Sequence, residues 1–259
     1  MDSPTRNRRH VPHAIRASLI ASSSRYSSES RSLRYHSSMS REVKITPSIL
    51  NANFNDIAGE IRRIAGVSDL VHLDVMDNLF VPNFTFNFET ASKIIRESIL
   101  PVDAHLMVLD ADRIAPQYAE VGCMSVTLHV EATEDIAGTL KSIRREGARA
   151  GLAVKPGTEI TDYEEFTDLV DMFLIMTVEP GFGGQSFMSD MLPKIERARR
   201  IIGSRPIWLQ VDGGISEETI EIATAAGADT FVAGSAVFKA PDPAQMITKL
   251  RALAESVPE

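Results

Sequence analysis

Cysteine is nearly missing from this chain: its 259 residues hold one, Cys123. That excludes an intramolecular disulfide and a cysteine-built zinc site, and it suits a reducing compartment. Also missing is any apolar run of the roughly 18–20 residues that a helical membrane span requires. No dinucleotide-binding glycine fingerprint occurs, so nothing points to a nicotinamide dinucleotide. Nor is there a basic surplus, since the net charge is −8. The deficit is sharper than that total suggests. Residues 1–41 hold eight of the 27 basic residues and two of the 35 acids, which leaves 19 against 33, or −14, for residues 42–259. An acidic body argues against nucleic acid as the main partner.

The first 41 residues differ from the rest. They carry eight Arg and twelve Ser without sustained apolar periodicity. Such a composition cannot bury enough apolar surface to order itself, and it reads as a disordered extension over residues 1–42 before a single domain at 43–259. Two origins fit: an organelle transit peptide, or an upstream start codon with Met39 as the working first residue. Cytoplasmic location is expected under the second and organelle targeting under the first.

From residue 45 a strand-then-helix rhythm sets in. Short apolar, often β-branched runs recur at 45–50, 70–76, 102–108, 125–130, 151–154, 172–178, 207–212 and 230–233. Runs of this kind are what parallel strands buried on both faces look like. Helical patterns lie between them, one opened by Asn55-Asp56 with Ile57, Ile61 and Ile64 on one face. Others cover 133–145 and 190–202, and Ser216 is expected to cap one before Ile220 and Ala223. Eight βα units predict an α/β fold of the (β/α)8 TIM-barrel class, with an open doubly wound sheet as the alternative.

Polar residues inside such strands are the ones to examine, because barrels of this class act at the C-terminal ends of their strands. Alternation puts His72, Asp74 and Met76 on one face of the second strand, and His105 and Met107 on one face of the third. Asp212 ends the seventh with inward parity. Taken singly, each His reads as a satisfied core residue. Together, two imidazoles and two carboxylates in a dry pocket would be costly without a compensating charge. His72, Asp74, His105 and Asp212 are therefore expected to hold one divalent metal ion, and a mixed N/O set suits Zn, Fe(II), Mn or Co over Mg or Ca. Glycine-rich turns follow strands six, seven and eight, and such turns let backbone N–H groups approach an anion. Met76, Met107 and Met176 share inward parity near the strand ends, where two readings fit: core filler, or a polarizable wall around a reactive intermediate. His129 reads as a supporting or structural residue, and Cys123 as inert.

These residues resemble a known family. The run Ile45-Thr46-Pro47-Ser48-Ile49-Leu50, the run His72-Leu73-Asp74-Val75-Met76-Asp77 and the run Asp103-Ala104-His105-Leu106-Met107-Val108 are similar to ribulose-phosphate 3-epimerases. So are Val178-Glu179-Pro180-Gly181-Phe182-Gly183-Gly184-Gln185, Val211-Asp212-Gly213-Gly214-Ile215 and Val232-Ala233-Gly234-Ser235. The resemblance covers about residues 43–250, in order. It implies a ribulose-phosphate-binding barrel that interconverts D-ribulose 5-phosphate and D-xylulose 5-phosphate, a step of the pentose phosphate pathway. Asp74 and Asp212 would be its catalytic acceptor and donor of protons through an enediolate. Ser48 and His105 would touch the substrate. Gly181, Phe182, Gly183, Gly184, Gly213, Gly214, Gly234 and Ser235 would hold its phosphate end. A homodimer or hexamer is also implied. Asn78 stands where many members carry Gly, and Asn tolerates positive φ. The alternatives are an epimerase for a related ketose phosphate such as allulose 6-phosphate, another phosphate-binding barrel enzyme, and a non-catalytic phosphosugar-binding protein.

Overall fold

The structure, a computed structural model, describes residues 42–258. The disorder, transit-peptide and start-site readings of residues 1–41 lie outside the described residues. Eight strands appear in chain order: β1 (Lys44–Thr46), β2 (Val71–Met76), β3 (Val102–Met107), β4 (Ser125–His129), β5 (Arg149–Val154), β6 (Met172–Met176), β7 (Trp208–Asp212) and β8 (Thr230–Val232). All seven ladders are parallel, and β1 pairs with β8. The ring is drawn together between β1 and β2 by His72 N–H on the Pro47 carbonyl at 2.9 Å and Asp69 N–H on the Ile45 carbonyl at 3.2 Å. This is the TIM barrel that the rhythm predicts; an open sheet would leave both edges unpaired.

The helices are α1 (Ile57–Ile64), α2 (Phe88–Glu97), α3 (Ala111–Val121), α4 (Ile136–Arg145), α5 (Leu192–Ile202), α6 (Ile220–Ala225), α7 (Ser235–Phe238) and α8 (Pro243–Glu255). Side-chain caps set several starts: Asp56 accepts from Gly59 N–H, Asn87 from Thr90 N–H and Asp135 from Gly138 N–H. Each satisfies one of the unpaired donors of a first turn. Between β5 and β6 the connection is a 3-10 helix, Ile160–Asp168.

Every residue of β2 and β3 is buried. Leu73, Val75, Ala104 and Leu106 pack outward in the large apolar core, as alternation requires. The opposite parity faces the barrel interior, and there the register pairs His72 with Asp103, Asp74 with His105 and Met76 with Met107.

Some boundaries differ from expectation. The first strand stops at Thr46 rather than running to residue 50. Pro47 has no N–H for a ladder, and Ser48 Oγ accepts from Leu50 N–H at 3.2 Å to start a 3-10 turn at Ile49–Asn51. Ser216 is not the cap of α6; Thr219 occupies that position. Ser216 instead heads the preceding turn, its N–H bonded to Thr219 Oγ1 at 2.9 Å and its carbonyl taking Ile220 N–H at 3.1 Å. Asn78 has φ 60°, the left-handed conformation that Asn tolerates better than most residues.

Candidate active site

The strand ends bring His72, Asp74, His105 and Asp212 together. One ligand atom from each lies within 4.8 Å of all the others. His105 Nδ1 is 3.2 Å from Asp74 Oδ1 and 3.5 Å from Asp212 Oδ2. His72 Nε2 is 3.4 Å from Asp74 Oδ1 and 4.0 Å from Asp212 Oδ2. Both imidazoles and Asp74 are buried, while the Asp212 side chain keeps 17% of its exposure. Asp212 is therefore the group of the four that faces the mouth of the barrel.

Asp74 and His72 are held from behind. Ser48 Oγ donates to Asp74 Oδ2 at 2.5 Å. His72 Nδ1 meets Asp103 Oδ2 at 2.8 Å. Asp103 in turn accepts from Ser125 Oγ at 2.6 Å and Gln210 Nε2 at 2.8 Å. A carboxylate with three such partners requires Nδ1–H on His72, which leaves Nε2 as the nitrogen aimed at the cluster. Asp103 was not singled out from sequence, although it shares the parity of His105.

Electrostatics follow from opposite charges packed out of water. Burial alone would depress the His72 pKa, yet Asp74 and Asp103 outweigh it and carry it well above the ordinary value. The same contest, won by Asp212 and Asp74, raises His105. Burial would raise the Asp74 pKa, but His72 and His105 hold it far below the carboxylate range. His129 behaves differently: burial pushes it down to about 4.

A divalent cation fits this group. His72 Nε2 is fully buried and has no hydrogen-bond partner among the described residues, an uncommon state for a buried polar atom. Once a cation displaces the imidazole protons, two imidazoles and two carboxylates offer four donors and balance a 2+ charge.

Beside the cluster lies a small cleft, lined in part by Ser48, Asp74, Phe182, Gly183, Gly214 and Ser235. Gly184, Asp212, Gly213 and Gly234 also line it, so the three glycine turns do converge. Gly181 is buried and supports the loop from outside the cleft, its carbonyl bonded by Asn83 Nδ2 at 3.0 Å. Carbonyls of Gly213 and Gly214 are occupied by Thr177 Oγ1 at 2.7 Å and Thr219 Oγ1 at 2.9 Å. Occupied carbonyls suit turns that present N–H groups to an anion.

Gly214 has φ +67°, and a Cβ there would overlap the Phe187 backbone nitrogen. Gly214→Ala is expected to cost at least about 1–2 kcal/mol for the left-handed backbone alone. For a domain of this size that lowers the thermal midpoint by roughly 2–8 °C, which thermal denaturation followed by circular dichroism will measure.

Met76, Met107 and Met176 end β2, β3 and β6 and are 1%, 1% and 2% exposed. Met76 and Met107 pack with Val81, and Met176 with Leu174 and Val178. His129 lies outside the four and meets one of them, His105. Cys123 is buried, and burial holds its thiol well above the usual range, in line with an inert residue. Among the described residues no helix is long and apolar enough to cross a membrane.

The family model for the ribulose-phosphate 3 epimerase family matches residues 44–238. The chain is 45% identical over 209 residues to ribulose-phosphate 3-epimerase of Mycobacterium tuberculosis, covering 80% of this chain and 91% of that one. It is 38% identical over 213 residues to the Bacillus subtilis ribulose-phosphate 3-epimerase, covering 81% and 98%. Among solved structures, 3-keto-L-gulonate-6-phosphate decarboxylase from Vibrio cholerae superposes with TM-score 0.64 over 85% of this chain and all of that chain, at 18% identity. That last likeness is one of fold.

Proposed function

This chain belongs to the ribulose-phosphate 3-epimerase family, an isomerase family, and on that premise we propose that it inverts carbon 3 of D-ribulose 5-phosphate by proton transfer between two carboxylates. The observation that carries the reading is the meeting of Asp74 and Asp212, from non-adjacent strands β2 and β7, at one cluster with His72 and His105. Asp74 accepts the proton from carbon 3, and Asp212 delivers one to the opposite face. The roles reverse in the other direction. A base must sit within hydrogen-bond reach of its proton and keep its orientation. The hydrogen bond from Ser48 to Asp74 Oδ2 meets the second demand.

When bound, a divalent cation such as Zn, Fe(II), Mn or Co, held by His72, Asp74, His105 and Asp212, supplies Lewis-acid stabilisation of negative charge on the ketose oxygens. Asp103 keeps His72 in the tautomer that this requires. Met76, Met107 and Met176 wall the reacting carbon without offering hydrogen bonds that would trap an enediolate. The turns at Gly183-Gly184, Gly213-Gly214 and Gly234-Ser235 take the phosphate end, with Gly181 shaping the first of them and Phe182 over its rim. No organic cofactor is needed for this chemistry. The 73% exposed Leu79, 58% exposed Phe84 and 56% exposed Leu109 suit the self-association that a homodimer or hexamer needs. A buried lone thiol suits the reducing cytoplasm.

The test is a coupled assay for xylulose 5-phosphate formed from ribulose 5-phosphate, run beside allulose 6-phosphate as substrate. Turnover of the pentulose at the higher kcat/KM is expected. Preference for the hexulose would move the assignment to the related ketose phosphate, and no turnover of either would reject it.

A further inference from the structure

Behind His105 runs a chain of hydrogen bonds that ends on a carboxylate. His105 Nε2 lies 2.9 Å from His129 Nε2. His129 Nδ1 lies 3.2 Å from Glu131 Oε2. The other oxygen, Glu131 Oε1, accepts from Lys155 N–H at 2.9 Å and from Thr158 Oγ1 at 2.5 Å. His129 is fully buried and Phe80 packs on its ring at 4.9 Å between centroids. Lys155 Nζ lies over the Phe80 ring, 3.7 Å from its centre. The imidazole is thus clamped as well as bonded.

Polarity along the chain is determined at its outer end. Glu131 offers only acceptors, so His129 Nδ1 carries a hydrogen. A neutral His129 then has a lone pair on Nε2. Two imidazole nitrogens 2.9 Å apart need one donor, so His105 Nε2 carries a hydrogen. The remaining nitrogen, His105 Nδ1, is left as the one whose lone pair a cation can take between Asp74 and Asp212. We propose that Glu131 and His129 are positioning residues which set the tautomer of His105 and so present its Nδ1 as a metal ligand. This deepens the cation-site reading and rests on it.

The arrangement makes an unusual demand on the variants. In Glu131→Gln the amide oxygen stays where Lys155 N–H and Thr158 Oγ1 donate to it. The amide NH₂ then faces His129 Nδ1 and donates, which reverses every bond in the chain. His105 Nδ1 becomes an N–H pointing at the cation site. Glu131→Ala removes the constraint without reversing it. Gln, the closer mimic in shape, should therefore be the more damaging change. A purely structural role for Glu131 predicts the opposite order.

The experiment titrates Co²⁺ into the full chain against a chromophoric chelator and records the visible Co²⁺ spectrum. Outer partners of metal ligands are worth about 10–100-fold in affinity. We expect a loss of about 10-fold for Glu131→Ala and about 100-fold for Glu131→Gln, with altered Co²⁺ bands in the latter. Circular dichroism and thermal melting of the metal-free proteins confirm that both variants fold; Glu131 is partly exposed, with 22% of its side-chain surface accessible. Equal affinities, or Gln above Ala, overturn the inference and leave the cation site standing. Absence of Co²⁺ binding in the unmodified protein removes the cation site and the inference together.

Discussion

Asp212→Asn is expected to lower kcat for epimerisation by at least about 10²-fold, the size of a lost general acid or base, in a protein that still folds. Asn has nearly the shape of Asp, and Asp212 sits at the rim with 17% of its side chain exposed, so the change opens no cavity. Loss of charge could also weaken the cation, and the rate must be measured at saturating divalent metal. A second readout separates the two effects. With Asp74 intact, one face of the substrate still meets a base. In deuterated water the variant should exchange the carbon 3 hydrogen of one epimer while failing to invert it, because Asp74 returns a deuteron to the face it attacked. Asp74→Asn should show the mirror result. Exchange from both epimers in either variant, or near-normal epimerisation, would defeat the two-carboxylate scheme.

How much of this was legible in the chain follows from what periodicity encodes. Alternation along a strand has a period of two, so inward placement of His72, Asp74, Met76, His105, Met107 and Asp212 could be read without coordinates. Convergence of the glycine turns was legible too, because consecutive parallel strands deliver their loops to one rim. What hid was pairing across strands. Asp103 has the same parity as His105, yet its role depends on lying in register with His72 and within reach of Gln210 from β7, 107 residues away. Likewise the His129–Glu131 chain depends on which imidazole nitrogen faces which neighbour, and that is decided by rotamer and packing against Phe80. The short β1 could have been found, since Pro47 removes a ladder donor; the apolar run through Leu50 outweighed it. The misplaced cap at Ser216 reflects two hydroxyls three residues apart, Ser216 and Thr219, either of which satisfies the local rule.

Removal of metal should have the second large effect, and it can be read without turnover. A ligand that binds only the folded state stabilises it by about 4 kcal/mol when present at about 1,000 times its Kd. For a domain of this length each kcal/mol shifts the thermal midpoint by about 2–4 °C. Chelator-treated protein should therefore melt roughly 8–16 °C below the same protein with excess Zn²⁺, Mn²⁺ or Co²⁺, and should lose its epimerase activity with the metal. The physical ground is the buried His72 Nε2 without a partner and the two carboxylates within 4.8 Å of both imidazoles. Such groups repel or remain unsatisfied until a positive charge joins them. Mg²⁺ and Ca²⁺ prefer all-oxygen sites, so they should restore less of either property at equal concentration. A chelator can also act on surface carboxylates, and this acidic chain has many. His72→Ala distinguishes the sites: it removes one ligand of the inner group and no surface acid, so its midpoint should barely respond to metal. A midpoint that rises equally in the variant and the parent would place the stabilising ion elsewhere on the molecule. Metal-free protein that keeps full activity would mean the two imidazoles serve the carboxylates alone.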